Sequence, residues 1–333
     1  MSVPDASPER LPDFLIIGAP KAGTTALHAA LMQHPGLALS MPKEPKYFMC
    51  GDAPPPLYVG PGDAHSRREW IWRRQDYARL FADVPADILC GESTPFYLFD
   101  KQAHRRIAAS IPQVKLIAVL RDPVDRAYSN WMHLWVDGLE PVGDVATACE
   151  RERTRVDAGW APFWRYVELG LYGQQLKHLR EHFADDQIMV LRYREMVDDP
   201  EATTDRVCRF LGVAEGHVRS IPKGNTRPYV ADSRRTRQYG RLLRAGAWVG
   251  AAFPPDVWRR ASQPILSRLH RRSDDYRPRL TPAQRHQLID YFRDDIALLE
   301  EQTGQSFADW LSEVGAGGYA ARVAGRDTAQ AVS

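Results

Sequence analysis

The feature that most constrains the fold of this chain is a short apolar run that ends at glycine. A short loop and then a helix follow it. Residues 14–18 read FLIIG, which predicts a buried strand because the run is short and rich in β-branched residues. Residues 24–33 then have a helical pattern, which HPG at 34–36 ends. The connecting segment, residues 18–23, therefore lies at the amino end of a helix, where backbone amides and the helix dipole favour an anion. Lys21 adds a full positive charge there.

Further apolar runs predict that this strand belongs to a parallel sheet. Residues 87–91, 114–120 and 188–191 have the length and composition of core strands. Helical patterns lie at 123–137, 144–157, 171–184, 201–211 and 282–302. Alternating strands and helices predict the α/β class: a P-loop-like parallel β-sheet flanked by helices, with a helical C-terminal extension.

The charge is balanced overall but unevenly distributed. The chain has 44 basic and 42 acidic residues, which argues against a general nucleic-acid binder. Residues 231–280 alone hold twelve arginines and four acidic residues. This basic arm could contact an anionic membrane surface or present a solvated face, and the sequence leaves both open. We expect one domain over 1–333, with a core at 13–230, the arm at 231–280, C-terminal helices at 281–314 and a disordered tail at 315–333.

Cysteine spacing and the terminal sequence set the expected compartment. The four cysteines lie far apart, so neither a zinc site nor a disulfide framework is predicted. The first 13 residues have no apolar segment of the kind found in signal peptides, and no run approaches the 18 apolar residues of a membrane span. We expect a cytoplasmic protein, with peripheral contact at the inner membrane face through 231–280 as the alternative.

The loop at 18–23 resembles a Walker A motif but departs from it. Walker A has its lysine directly after the second glycine, whereas here Thr24 follows Gly23 and Lys21 precedes it. By itself the loop fits an anion cradle and a plain strand–helix turn about equally. Lysine is scarce in this chain, with seven among the 44 basic residues, so a lysine in this loop is informative.

Together with two later motifs, the loop resembles the sulfotransferases that use 3′-phosphoadenosine 5′-phosphosulfate (PAPS), in particular the carbohydrate and heparan sulfate type. PKAGTT at 20–25 resembles their 5′-phosphosulfate loop, and RDPVDRAYS at 121–129 resembles the segment that holds the donor's 3′-phosphate. The resemblance covers 13–230 and 281–311. It implies PAPS as co-substrate, bound by Lys21, Ala22, Gly23, Thr24, Thr25, Arg121, Ser129, Tyr193, Lys223 and Arg227.

The same resemblance implies three catalytic residues and no metal. Lys21 would neutralise the leaving phosphate during in-line transfer. KEPKYF at 43–48 resembles the family segment with the catalytic glutamate, so Glu44 is the first candidate base and Glu92 the second. Phenol-type members have a histidine on the corresponding strand, and this chain has none there. Carbohydrate-type members often have a lysine where this chain has Ser93.

Sulfuryl transfer to a hydroxyl of a sugar, lipid or small molecule is therefore the expected activity. Carbohydrate, glycolipid or small-molecule acceptors are the expected partners, a homodimer stays open, and nucleic acid is not expected. A P-loop-type nucleotide kinase or NTPase with a variant loop stays open as an alternative, as does a non-catalytic anion- or membrane-binding protein.

Overall fold

Five strands and fifteen α-helices make up most of the described chain. The structure, a computed structural model, describes residues 9–222, 230–250, 255–270 and 280–312. The strands are β1 (Phe14–Gly18), β2 (Leu37–Leu39), β3 (Leu89–Ser93), β4 (Lys115–Leu120) and β5 (Ile188–Arg192). The helices are α1 (Thr24–Leu31), α2 (Tyr47–Cys50), α3 (Asp63–Arg67), α4 (Arg74–Ala78), α5 (Lys101–Ser110), α6 (Pro123–Val136), α7 (Val145–Glu150), α8 (Glu152–Asp157), α9 (Tyr172–Leu179), α10 (Tyr193–Asp198), α11 (Pro200–Leu211), α12 (Arg234–Gly250), α13 (Pro255–His270), α14 (Pro282–Ile289) and α15 (Arg293–Thr303).

All five strands are parallel and form one sheet in the order β2-β3-β1-β4-β5. The central strand β1 is buried along its whole length. Because parallel strands end at one edge, the loops that follow them also lie at that edge. The strand order changes direction beside β1, which is where open parallel sheets bind ligands. The predicted α/β class is confirmed.

A close approach between β1 and β3 requires glycine at position 91. Phe14 of β1 is in register with Gly91 of β3, and a Cβ on Gly91 would lie 2.4 Å from Cζ of the Phe14 ring. No larger residue fits unless the ring moves. The next two register positions of β3 are Glu92 and Ser93, so this packing fixes where both residues reach the edge of the sheet.

Several boundaries differ from those that the sequence predicts. The strand expected at 87–91 runs over Leu89–Ser93, so Glu92 and Ser93 end the strand instead of following it. Strand β2 was not predicted, because three residues are too few to show a periodic pattern. The helix expected at 144–157 is divided at Arg151, and the one expected at 171–184 ends at Leu179.

The C-terminal helix is also divided, although its buried face is continuous. The amides of Tyr291 and Phe292 donate to carbonyl oxygens three residues back, which tightens the chain between α14 and α15. The exposed fractions of Leu288, Phe292 and Leu299 are all 0%. Helical spacing therefore identified the buried positions but not the break, because the same spacing fits one long helix.

The described residues group into two compact units. One lies within Met1–Arg121 and Gln175–Thr226 and contains the sheet; the other lies within Asp122–Gln174 and Arg227–Ser333. The basic arm falls in the second unit, and its described part consists mainly of the helices α12 and α13. Among the described residues, no helix combines the length and the apolar character needed to cross a bilayer. The predicted tail at 315–333 lies outside the described residues.

Candidate active site

The loop after β1 turns sharply before α1 begins. Lys21 has a φ of +68° and Gly23 a φ of +92°, both in the left-handed region. The first amides of a helix have no acceptor within the helix, and α1 has no acidic residue in its first turn. Ala22 and Thr24 are buried, whereas Thr25 is exposed. This geometry suits an anion, as the sequence of the loop predicts.

Side chains that follow β4 and β5 meet this loop. Nη1 of Arg121 donates to the carbonyl oxygen of Lys21 at 3.3 Å, and the guanidinium lies 5.0 Å from the centroid of the Tyr193 ring. A Cβ on Gly23 would lie 2.8 Å from Cδ2 of Tyr193, so only glycine fits against that ring. The structure therefore brings together four predicted donor-binding residues from three separate segments.

Three further predicted donor-binding residues lie either in the second compact unit or outside the described residues. Ser129 lies on α6 in the second compact unit and is half-buried. Lys223 and Arg227 lie outside the described residues. Their roles stay predictions.

Glu44 lies in a strained, partly exposed turn. The φ angles of Glu44 and Lys46 are +61° and +62°, which are uncommon for residues with a side chain. Nζ of Lys43 is 2.7 Å from Oε1 of Glu44, and the exposed fraction of the Glu44 side chain is 31%. Backbone strain of this kind concentrates at functional sites.

Lys46, in the same turn, lies against aromatic rings. Its ammonium is 5.2 Å from the centroid of the Trp70 ring and 5.7 Å from that of Phe96. Burial lowers the pKa of Lys46, and the negative charge of Glu44 acts in the opposite direction. Cation–π contacts thus hold the lysine of this turn among apolar groups.

Glu92 is fully buried among hydroxyl groups. Oε1 accepts from the hydroxyls of Tyr77 at 3.1 Å and Tyr97 at 2.7 Å, and Oε2 accepts from Oγ1 of Thr94 at 2.8 Å. Its exposed fraction is 0%. Burial raises the pKa of Glu92 to about 7, although these hydrogen bonds act in the opposite direction.

Thr94 connects the two candidate bases. Its hydroxyl donates to Glu92, and the same oxygen accepts from the backbone amide of Lys46 at 3.2 Å. The strained turn that contains Glu44 is therefore joined to the end of β3 by one buried side chain. The two glutamates, 48 residues apart, belong to one hydrogen-bonded region.

A histidine that the sequence reading passed over also reaches this strand end. Nδ1 of His28 on α1 lies 2.8 Å from Oγ of Ser93, and His28 is only 4% exposed. The pKa of His28 is lowered to about 4, chiefly by burial and then by the positive charge of Lys43, while the negative charge of Glu44 acts in the opposite direction. Nε2 of His28 is buried and has no hydrogen-bond partner among the described residues. The strand has no histidine of its own, but α1 supplies one.

One signal in the sequence could have pointed to His28. It lies four residues after Thr24, so both residues face the same side of α1, directly beyond the anion-binding loop. The contact with Ser93 cannot be read from the sequence, because His28 and β3 are far apart along the chain. The two meet only because β1 pairs with β3.

The comparison with known proteins identifies the family. The sulfotransferase domain family matches residues 11–226, which is more than half of the chain. The chain therefore belongs to the sulfotransferase family, and the resemblance that its motifs indicate is confirmed.

Relatives and a solved structure agree with this assignment. Bifunctional heparan sulfate N-deacetylase/N-sulfotransferase 4 of Mus musculus is 29% identical over 212 residues, covering 62% of this chain and 23% of the relative. Heparan sulfate glucosamine 3-O-sulfotransferase 3A1 of Homo sapiens is 28% identical over 210 residues, covering 63% of this chain and 46% of the relative. The chain thus spans less than half the length of either relative. The crystal structure of a sulfotransferase from Alicyclobacillus acidocaldarius aligns with a TM-score of 0.69 and 27% identity, covering 91% of this chain and 100% of that chain.

Proposed function

We propose that this chain transfers a sulfuryl group from PAPS to a hydroxyl of a carbohydrate acceptor. The observation that carries the proposal is the convergence of Lys21, Gly23, Arg121 and Tyr193 at the loop after β1. Membership of the sulfotransferase family supports the type of reaction.

The residues of this cluster suit the parts of the donor. The loop amides and Lys21 would hold the 5′-phosphosulfate, since a helix amino end and an ammonium both favour an anion. The guanidinium of Arg121 would pair with the 3′-phosphate, because its planar fork matches a phosphate edge. The ring of Tyr193 offers a face for the adenine. Ser129, Lys223 and Arg227 complete the proposed donor-binding set.

The reaction is an in-line displacement at sulfur, and PAPS supplies the sulfuryl group when bound. The acceptor oxygen forms a bond to sulfur while the bond between sulfur and the phosphate oxygen breaks. Lys21 would neutralise the charge on the leaving phosphate, and the amides of Gly23 to Thr25 would stabilise the sulfuryl oxygens. We predict that added Mg²⁺ is unnecessary, because a sulfuryl group carries less negative charge than a phosphoryl group.

Glu44 is the better placed of the two candidates to take the acceptor's proton. Its side chain is partly exposed and lies in a strained turn, so an acceptor can reach it. Glu92 is fully enclosed and already accepts three hydroxyl hydrogen bonds. We assign Glu92 the role of positioning the Glu44 turn through Thr94.

The acceptor is proposed from the activities for which the relatives are named. Two act on heparan sulfate or its glucosamine, one as an N-sulfotransferase and one as a 3-O-sulfotransferase. A sugar hydroxyl is therefore the proposed target, with lipid and small-molecule hydroxyls as the alternatives to screen. Ser93 stands where carbohydrate-type members often have a lysine, and its hydroxyl is paired with His28, so the acceptor contacts here should differ from theirs.

Calorimetric titration with adenosine 3′,5′-bisphosphate tests the donor site. We expect binding without Mg²⁺, and a loss of at least about tenfold in Arg121→Ala, in line with the worth of a charged hydrogen bond. Arg153→Ala is a matched control, because the exposed fraction of the Arg153 side chain is 84%. Binding of ATP–Mg²⁺ without binding of the bisphosphate would favour the kinase or NTPase alternative.

Location and assembly are further parts of the proposal. We infer a cytoplasmic enzyme whose arm, α12 with α13, can contact an anionic membrane surface. Co-sedimentation with phosphatidylglycerol vesicles and with phosphatidylcholine vesicles distinguishes this from a solvated arm. Light scattering on the same preparation tests whether the chain forms a homodimer.

A further inference from the structure

Three ligand-type side chains converge where α9 ends. One ring nitrogen each of His178 and His182 and one carboxylate oxygen of Glu181 lie within 4.8 Å of one another. The amides of Glu181 and His182 donate three residues back, to His178 at 3.2 Å and Leu179 at 3.0 Å, so the chain continues as a tightened helical turn. We propose that His178, Glu181 and His182 bind a first-row divalent metal ion, with Zn²⁺ as the reference ion.

His104 of α5 determines which ring nitrogen of His178 carries a proton. Nε2 of His104 lies 3.1 Å from the carbonyl oxygen of Leu98, and a carbonyl can only accept, so this nitrogen carries a proton. His104 is 0% exposed and makes no hydrogen bond to a carboxylate among the described residues, so its ring is neutral and its Nδ1 is an acceptor.

The acceptor on His104 then determines which nitrogen of His178 can bind a metal. The two Nδ1 atoms are 2.9 Å apart, so Nδ1 of His178 donates to Nδ1 of His104. Nε2 of His178 therefore keeps its lone pair in the neutral ring. A histidine ligand whose other ring N–H is held by a hydrogen bond is the usual arrangement at metal sites.

His182 adds a separate observation that points to a ligand. Its Nε2 is buried and has no hydrogen-bond partner among the described residues. Buried polar atoms nearly always have a partner, so an orphaned one calls for a water or an ion. The rings of His178 and His182 are 5.1 Å apart between centroids, close enough for both to reach one ion.

The donor set and the surrounding charges define the ion. Two imidazole nitrogens and one carboxylate oxygen suit Zn²⁺, Ni²⁺ or Cu²⁺ better than Mg²⁺ or Ca²⁺. Lys101 and Arg105 of α5 act electrostatically on His178 and oppose a further cation. The carboxylate of Glu181 is therefore needed to offset their charge. None of these residues belongs to the candidate active site, so the inference does not rest on the proposed function.

The test is a calorimetric titration of the tag-free, chelator-treated full chain with ZnCl₂. We expect one Zn²⁺ per chain and a loss of at least about tenfold in affinity in His182→Ala, because losing even a group that only supports a metal ligand costs about 10–100-fold. Glu181→Gln should also weaken binding, and because Glu181 is exposed this substitution tests the ligand without disturbing the core. His286→Ala, which removes an exposed histidine of α14, is the matched control and should bind as the parent does.

The results of these titrations distinguish a specific Zn²⁺ site from nonspecific binding of Zn²⁺ to surface side chains. Circular dichroism and thermal unfolding of the metal-free variants establish that they fold. A parent chain that takes up no Zn²⁺ overturns the proposal. So does a titration in which His182→Ala and Glu181→Gln match His286→Ala. A visible absorption band with Co²⁺ in the parent, absent from His182→Ala, supports it through the coordination itself.

Discussion

The turn at 43–46 and the strand end at 92–94 each have one glutamate, and their environments are opposite. Glu44 is partly exposed and paired with Lys43, whereas Glu92 is fully enclosed by hydroxyl donors. Thr94 connects the two segments directly. Burial, not residue type, therefore separates a carboxylate that can meet an acceptor from one that supports it, as in other enzymes with paired carboxylates.

Replacing each glutamate with glutamine gives the largest expected difference between the two regions. Glu44→Gln should lower kcat by about 10²–10⁴, the usual contribution of a general base, because the amide cannot take the proton. Binding of adenosine 3′,5′-bisphosphate should not change. Sulfate transfer to a sugar acceptor, followed by mass shift, measures kcat, and Glu201→Gln, an exposed glutamate of α11, is the control. If Glu92→Gln abolishes turnover and Glu44→Gln does not, the roles are reversed.

The pH dependence of stability should identify Glu92. Its carboxyl group has a pKa of about 7 when folded, against a reference of 4.5, so the folded state holds the proton more tightly than the unfolded state does. The resulting stabilisation is complete below pH 4.5 and is lost as the pH rises through 7. At pH 8 this corresponds to on the order of 3 kcal/mol.

Urea unfolding of the parent and of Glu92→Gln at pH 5 and pH 8 measures this effect. The parent should lose stability relative to Glu92→Gln on going to pH 8, because the amide does not ionise. An equal change in both proteins would mean that Glu92 does not titrate in this range. Glu201→Gln again serves as the control, since its carboxylate is exposed.

Removing the connection between the two regions should have the smallest effect. Thr94→Val keeps the shape but leaves Oε2 of Glu92 without its donor and the Lys46 amide without its acceptor. A buried unsatisfied group costs about 1–3 kcal/mol of unfolding free energy. Thr154→Val, at an exposed position of α8, is the matched control. Unchanged stability and an unchanged kcat would show that Thr94 does not couple the turn to the strand.

Much of the site near β1 could be predicted from local sequence. The strand, the loop and the helix are contiguous, so apolar pattern, glycine and lysine specify them without distant contacts. Arg121 was predictable for a similar reason, since it directly follows a clear core strand. Its meeting with Tyr193 required the sheet, because the order β1-β4-β5 brings their ends together.

Other parts of the site could not be read from a single sequence. Strand β2 is too short to show a pattern, and the limits of β3 depend on how Gly91 packs against Phe14. The contact between His28 and Ser93 joins residues 65 apart. Nothing in the local sequence distinguishes such a histidine from one on any helix, because tertiary contacts alone bring it to the strand.

The sequence by itself determined the α/β class, the anion-binding loop and the family, because each depends on short contiguous patterns. Tertiary structure alone decided the difference between Glu44 and Glu92. The two residues are of the same type, so their different exposure and different proposed roles arise only from the groups that surround them. Tertiary structure also decided the pairing of His104 with His178, which fixes a proton across 74 residues of sequence. Burial and hydrogen bonding set these properties, and both arise only once distant segments pack together.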